Sequence, residues 1–215
     1  MTATLAPELT ETDSPWLHRL RHHDVTVWVT MLVASLASLV ASFVLSIDAL
    51  TLAKDPHADL GCNINAVISC GTVGTSWQAS LLGFPNAFLG LVFEPAVITL
   101  AVAGLAGVRF PRWFMFSAQA IYTIALLFAY WLFEQAMFEI GALCPWCLLV
   151  TLATTLVFFE MTYVNIRDDN LYLPPRVQAA LTGFIRSNLD VMLVIAWLLV
   201  LVLAVVLKYG AALFA

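Results

Sequence analysis

The four cysteines of this chain form two pairs whose spacing suits reversible thiol–disulfide chemistry. One pair is the C-x-x-C motif Cys144-Pro145-Trp146-Cys147, and the other is Cys62 and Cys70, with seven residues between them. Such pairs serve as structural disulfides, as metal ligands, or as redox centres in which a thiolate attacks a disulfide sulfur. The cysteine pattern alone leaves two fixed disulfides and a four-cysteine zinc site open as alternatives.

The residues of the C-x-x-C motif favour the redox interpretation. Pro145 suits the first position of a helix, because the N–H that proline lacks would have no partner there. Cys144 is then the cap residue, where free backbone N–H groups and the helix dipole stabilise a thiolate. Cys147 lies about one turn deeper on the same face. A structural disulfide requires neither feature, whereas thiol–disulfide exchange uses both.

The composition places these cysteines in an integral membrane protein. The chain is 62% hydrophobic and 11% charged, whereas soluble domains carry about 25% charged residues. So little charge excludes an ordinary cytosolic enzyme, a nucleic-acid-binding protein with a basic face, and a disordered chain. Five apolar blocks are long enough to cross a bilayer as helices. They cover approximately residues 25–50, 86–108, 113–138, 145–164 and 189–207.

These blocks predict an all-α membrane protein without a separate soluble domain. We expect a polar N-terminal tail over 1–24 and four membrane-spanning helices over 25–165, which the family resemblance described below implies to form a four-helix bundle. A long loop over 51–85 is expected to cap the bundle, with a short helix that starts at Thr75 or Ser76 and ends at Gly83. A linker over 166–188 leads to a fifth, peripheral transmembrane helix within 189–215.

The distribution of positive charge orients the chain in the membrane. Seven arginines lie in one alternating set of loops and two lysines in the other: Arg19, Arg21, Arg109, Arg112, Arg167, Arg176 and Arg186 against Lys54 and Lys208. Positively charged loops remain in the cytoplasm, which predicts a multi-pass cell-membrane protein with a cytoplasmic N-terminus. All four cysteines then face the extracytoplasmic side, where disulfides persist.

Thiol oxidation releases electrons, and the sequence indicates an acceptor within the membrane. The chain has no nucleotide-binding fingerprint and no recognisable flavin site. Its histidines do not form a haem-binding pair within the bilayer, because they flank the first span or lie in the outer loop: His18, His22, His23 and His57. A lipid-soluble quinone that reaches Cys147 from the bilayer is therefore the most economical acceptor.

The order of these motifs resembles the bacterial homologues of the vitamin K epoxide reductase family. The resemblance covers roughly residues 25–165 and includes the loop pair and the C-x-x-C motif at the fourth span. It also rests on three short stretches: Ile68-Ser69-Cys70, Thr75-Ser76-Trp77 and Asn86-Ala87-Phe88-Leu89-Gly90. The resemblance implies a four-helix bundle around a quinone of the menaquinone or ubiquinone type, which binds at the outer end of the bundle.

The resemblance also implies a role for each cysteine and for three polar residues. Cys147 would reduce the quinone, Cys144 would exchange with Cys70, and Cys62 would meet an external partner. The residues that would line the quinone site, together with Cys147, are Asn86, Ser76 (or Thr75) and Thr151. Asn86 matches an amide that hydrogen-bonds a quinone carbonyl, or it caps the second span. Thr151 stands where some members carry an aromatic hydroxyl, and it is a shorter donor than that group.

Many bacterial members carry a fused thioredoxin-like domain, which this sequence lacks. We therefore expect a separate extracytoplasmic thioredoxin-fold (DsbA-like) partner, and no nucleic acid or metal. The predicted function is a membrane thiol oxidoreductase that oxidises this partner, reduces a quinone and supports disulfide formation. Disulfide bond formation protein B is an alternative, but in that family the two cysteine pairs come in the reverse order. A non-enzymatic scaffold with fixed disulfides or zinc is the other alternative.

Two glutamates lie inside apolar spans, where charge is costly. Glu94 and Glu134 are candidates for relaying protons to a quinone. The alternative for Glu94, which precedes Pro95, is a neutral carboxyl group that is hydrogen-bonded inside the bundle. Asp48 and Glu139 lie near the interfaces, and the sequence assigns them no role.

Overall fold

The computed structural model describes residues 24–65 and 67–213, and helices form the regular structure of that part. In chain order the α-helices are α1 (Asp24–Lys54), α2 (Cys70–Gly74), α3 (Ala87–Leu105), α4 (Arg112–Gln135), α5 (Pro145–Arg167), α6 (Pro175–Arg186) and α7 (Leu189–Leu213). A 3₁₀ helix covers Trp77–Ser80, and a π-helix over Ala136–Ile140 continues α4. The predicted tail lies outside the described residues except for Asp24, where α1 begins.

Five of these helices are long and apolar enough to cross a membrane, which confirms the five predicted spans. Their ends differ from the prediction, since α1 continues past residue 50 to Lys54 and α5 past residue 164 to Arg167. Hydropathy marks where apolar side chains stop, whereas a helix continues for as long as its backbone hydrogen bonds are made.

Two short helices were missed, and one predicted helix is shorter than expected. The residues predicted as a linker contain α6, whose Gln178 Nε2 donates to the Ile166 carbonyl at 2.6 Å. The outer loop contains α2, which begins at Cys70. The predicted cap helix is only the 3₁₀ helix, with Leu81 and Leu82 after it and Gly83 at φ +83°. This glycine has a left-handed conformation in the turn between the 3₁₀ helix and α3.

Packing of the four-helix bundle is centred on α1. Helix α1 contacts both α3 and α5, and α4 contacts α5. Two glycines of α3 bring it close to α1, because a Cβ at Gly90 would collide with Ser42 and one at Gly104 would collide with the Trp28 ring. No comparable packing joins α3 to α4, so the space between these two helices is available for a cavity.

Helix α7 is attached to the outside of the bundle, as the sequence predicted. Trp197 Nε1 donates to the Tyr130 hydroxyl at 2.8 Å. Near its other end, Tyr209 Oη and Lys208 Nζ both donate to the Met137 carbonyl, which belongs to the π-helix. Most of its remaining large side chains are exposed, as expected of a helix that faces lipid.

The close contact between α1 and α3 predicts an effect on stability. Gly104→Ala places a methyl group against the Trp28 ring, and such overpacking costs about 1–3 kcal/mol. We expect a lower melting temperature in detergent, measured by loss of helical circular dichroism. The matched control is Gly183→Ala on α6, where an added Cβ meets no atom within 4 Å. Equal melting temperatures for the two variants would contradict this packing.

Candidate redox site

Cys144 caps helix α5, as its position before Pro145 predicted. It has an extended backbone, and its Sγ accepts a hydrogen bond from the Cys147 backbone N–H at 3.4 Å. Pro145 occupies the first turn, where no backbone N–H is required. The cap places the Cys144 sulfur at the positive end of the helix dipole.

A short backbone bridge joins the outer loop to the segment before Cys144. Leu143 N donates to the Val67 carbonyl at 2.7 Å, and Ser69 N donates to the Leu143 carbonyl at 3.0 Å. These bonds form a parallel β-bridge between Ile68 and Leu143. Since Cys70 follows Ser69 and Cys144 follows Leu143, the bridge places the two cysteines next to each other.

Side chains of the outer loop hold its half of the bridge. Asn65 Oδ1 accepts hydrogen bonds from the backbone N–H groups of Val67 and Ile68, at 2.9 and 2.7 Å. Ser69 Oγ caps α2 by accepting from Thr72 N at 3.1 Å. Asn63, within the segment that the disulfide encloses, accepts with its Oδ1 from Gly71 N, just beyond that segment, at 2.9 Å. Hydrogen bonds within the outer loop therefore stabilise the segment that contacts Leu143 and Cys144.

The two cysteine pairs are in contact and in different redox states. Cys62 and Cys70 form a disulfide with 5.7 Å between their Cα atoms, while Cys144 and Cys147 are free thiols. The Cys144 Sγ lies 3.3 Å from the Cys70 Sγ. Because two of the four cysteines are bonded to each other, the structure does not show the four-thiolate zinc site that the sequence left open.

Burial differs between the members of each pair. Cys70 and Cys144 are buried, with 3% and 1% of their surfaces exposed. Cys62 and Cys147 are each half-buried. The contact between the pairs is therefore shielded, and the less buried member of each pair, Cys62 or Cys147, lies away from it.

The surroundings of Cys144 favour its thiolate. A hydrogen bond from the Cys147 thiol is the largest of the effects that lower the pKa of Cys144, and the backbone N–H groups of Cys147 and Trp146 lower it further. Burial and the Asp48 carboxylate act in the opposite direction. The net effect is a pKa below the usual cysteine value, which increases the share of the nucleophilic thiolate form of Cys144.

A cavity of about 540 Å³ lies beside the thiol pair. Helices α1, α3, α4 and α5 and the outer loop form its walls, which are mostly apolar. The cysteines among its lining residues are Cys70, Cys144 and Cys147. Phe93 and Ile121, exposed on the surfaces of α3 and α4, also line it. The cavity therefore extends from the thiols to the apolar surface of the bundle.

Asn86, Ser76, Thr75 and Thr151, the residues that the family resemblance connects with a quinone site, all line this cavity. The Asn86 side chain does not cap α3. Its Nδ2 donates to the Gln78 carbonyl at 2.6 Å, while its Oδ1 is buried without a protein partner. One N–H and the Oδ1 are thus left for a ligand, because a primary amide has two donor hydrogens.

The hydroxyl groups of the site are already engaged as donors. Ser76 Oγ donates to the Val73 carbonyl at 2.7 Å, and Thr151 Oγ1 donates to the Cys147 carbonyl at 3.0 Å. In this arrangement both oxygens keep acceptor capacity only. Asn86 is therefore the better-placed hydrogen-bond donor of the predicted set.

The two intramembrane glutamates differ in position. Glu94 lines the cavity and is buried, where it accepts hydrogen bonds from Ser38 Oγ at 2.8 Å and from Tyr122 Oη at 3.1 Å. Glu134 is exposed on the bundle surface and accepts from Gln135 Nε2 at 2.7 Å. Glu94 thus has the internal hydrogen bonds expected of a carboxyl group held inside the bundle.

Sequence reasoning missed Asp48, to which it assigned no role. Asp48 lies near the end of α1, and its Oδ2 is 3.8 Å from the Cys62 Sγ. The position of Asp48 in the sequence could have indicated it. Asp48 lies in the last turns of the helix that leads into the cysteine loop, so it lies on the same side of the membrane as that loop. Its distance from Cys62 in sequence, however, gave no measure of their distance in space.

Comparison with known proteins gives one result. Residues 29–162, well over half of the chain, match the vitamin K epoxide reductase family. A search of individual curated proteins gave no match.

The surroundings of Cys144 predict how its pKa responds to mutation. In a protein that lacks the loop cysteines (Cys62→Ala/Cys70→Ala), adding Cys147→Ala removes the largest effect that lowers the pKa of Cys144. We therefore expect the pKa of Cys144 to rise, measured by thiolate ultraviolet absorbance against pH. The control, Cys147→Ser, keeps a hydroxyl donor and is expected to give a smaller rise. An unchanged or lower pKa with Cys147→Ala would show that Cys147 does not stabilise the thiolate.

Proposed function

The chain belongs to the vitamin K epoxide reductase family, and on that premise we propose that this membrane oxidoreductase is a quinone-linked thiol oxidase. Its two cysteine pairs carry electrons from an extracytoplasmic thioredoxin-fold protein to a quinone in the membrane. The product of the reaction is an oxidised partner that introduces disulfides into other proteins. Cys62 and Cys70 receive the electrons, and Cys144 and Cys147 deliver them.

The observation that carries this proposal is the 3.3 Å contact between the sulfur atoms of Cys144 and Cys70. A thiolate at one of these atoms can attack a disulfide that includes the other, and each complete exchange moves two electrons between the pairs. The reduced state of Cys144 and Cys147, beside an oxidised loop pair, is the state expected after such a transfer.

Burial supports a direction for the transfer. Cys62 is half-buried in the outer loop and can be reached by a protein partner, whereas Cys70 and Cys144 are sealed from solvent. Cys147 lines the apolar cavity. A donor therefore meets Cys62 from outside, and an acceptor meets Cys147 from the side of the bilayer.

The residues of the cavity fit a quinone. The buried Asn86 Oδ1 has no protein partner, and the amide keeps one N–H for a ring oxygen. A bound quinone would supply a two-electron, two-proton acceptor for the Cys147 thiol. Asn86 would orient the ring, and Ser76 on the outer loop would help to exclude water. The exposed Phe93 and Ile121 at the edge of the cavity suit entry from lipid.

The orientation of the chain follows from its charges. Lys54 ends α1, the helix that leads into the cysteine loop, and Lys208 bonds to the π-helix just before Cys144. The arginines of the described residues lie in the connections at the other ends of the helices. By the positive-inside rule this distribution supports a position of the cysteines outside the cytoplasm, where a separate thioredoxin-fold partner would reach Cys62.

Loss of Cys147 tests the proposed order of transfer. Purified wild-type protein in detergent is expected to reduce a short-chain ubiquinone or menaquinone with dithiothreitol as the donor. Cys147→Ala should reduce the rate to the protein-free background, because Cys144 is then left without the neighbouring thiol with which it forms a disulfide as the quinone is reduced. Quinone absorbance measures the rate, and retention of the Cys62–Cys70 disulfide shows that the variant is folded. Wild-type activity in this variant would contradict the role of Cys147.

Asn86 is expected to act on the quinone step alone. Loss of one well-placed donor from a site where charge develops typically costs about 10²-fold or more in rate, so we expect Asn86→Ala to lower kcat/KM for the quinone by about that factor. Exchange between the cysteine pairs, followed without quinone, should not change. Thr99→Ala is the matched control, since Thr99 is an exposed polar residue of the same helix. Equal effects of both variants on kcat/KM would show that Asn86 does not contribute to the quinone site.

A further inference from the structure

Asp48 lies beside the loop disulfide, and none of the steps above uses it. Its Oδ2 is 3.8 Å from the Cys62 Sγ. This carboxylate and the two loop sulfur atoms together lie within 4.8 Å of one another. Asp48 is half-buried and also lines the cavity. A carboxylate is thus in contact with the one loop cysteine that is accessible from outside.

We propose that Asp48 accepts the thiol proton of Cys62 in the step that completes electron transfer between the two cysteine pairs. The inference rests on the proposed function and identifies a proton acceptor for it. Cys62 then reacts twice, first with the partner and later with Cys70, when the electrons pass inward. Asp48 assists the reaction with Cys70.

The step concerns a disulfide between the two pairs. When Cys70 attacks the oxidised C-x-x-C pair at Cys144, Cys147 leaves as a thiolate, and a Cys70–Cys144 bond is formed. Attack by Cys147 on Cys144 would reverse the transfer, whereas attack by Cys62 on Cys70 completes it. In the completing step the Cys62 proton passes to the Asp48 carboxylate, and a bond forms between the sulfur atoms of Cys62 and Cys70. The Cys70–Cys144 bond breaks, and its electron pair leaves on the Cys144 sulfur.

The surroundings of Asp48 favour the completing step. The ionisable groups that face it are the loop cysteines and the two thiols at the start of α5. An ionised Asp48 opposes negative charge on Cys144. Once Asp48 has taken the proton this repulsion disappears, at the moment when Cys144 leaves as a thiolate that the cap of α5 stabilises. The proton transfer therefore activates the attacking sulfur and makes the leaving sulfur more stable.

The experiment follows the interpair disulfide directly and needs no quinone. Protein with both pairs oxidised is mixed with one equivalent of dithiothreitol, quenched with acid, labelled with a maleimide and analysed by mass spectrometry. We expect Asp48→Asn to accumulate the Cys70–Cys144 species and to resolve it at least about tenfold more slowly at neutral pH, since general bases contribute about 10²–10⁴-fold. The defect should shrink toward nothing at a pH where the Cys62 thiol ionises unaided.

Two further variants make the outcome specific to the carboxyl group. Asp48→Glu, which keeps a proton acceptor, is expected to resolve the species at close to the wild-type rate. Asp55→Asn is the matched control, because Asp55 is an exposed acid just after the end of α1 whose hydrogen bond from His57 N the asparagine can keep. A defect of equal size at every pH, an equal defect with Asp48→Glu, or no defect with Asp48→Asn would overturn the proposal. Normal exchange without any quinone reduction by the wild type would instead refute the proposed function.

Discussion

Two backbone hydrogen bonds between Leu143 and the outer loop determine the chemistry available to this protein. They fix the register between the segment before Cys144 and the segment before Cys70, so that the next residue on each side is a cysteine. Backbone groups make these bonds, and the site therefore does not depend on long, mobile side chains to bring the sulfur atoms together. Asn65 and Ser69 hold the loop half, and the left-handed Gly141 turns the chain out of the π-helix into the other half.

The membrane gives this contact its direction. The four cysteines form a series that begins at the half-buried Cys62 and ends at Cys147, in the wall of an apolar cavity. Between them, Cys70 and Cys144 are sealed from solvent, which protects the reactive thiolate from external thiols. Helices α3 and α4 have few contacts with each other, and the apolar cavity lies between them, where the proposed function places the quinone. The helix N-terminus at Cys144 supplies the positive potential that the exchange requires.

The sequence predicted the elements whose cause is local. The five spans followed from apolar length, and the cap at Cys144 followed from Pro145 next to it. The family resemblance connected Asn86, Ser76 and Thr151 with a quinone site, and their role toward a quinone stays a prediction. The β-bridge, α2 and Asp48 depend on where a long loop folds back, and no local pattern determines that. Helix α6 was missed because polar residues interrupt its apolar ones, so it does not form the continuous apolar block by which a span is recognised. The loop disulfide was one of several pairings that the spacing allowed.

The central claim is that the bridge brings the sulfur atoms of Cys70 and Cys144 close enough to form a disulfide, and disulfide mapping tests it most directly. In Cys62→Ala/Cys147→Ala only these two cysteines remain, so treatment with a mild oxidant such as diamide can link them only to each other or to another molecule. The account predicts one intramolecular Cys70–Cys144 disulfide in most of the protein, identified by mass spectrometry of an unreduced digest. Two thiols that remain open to maleimide, or dimers linked between molecules, would contradict it.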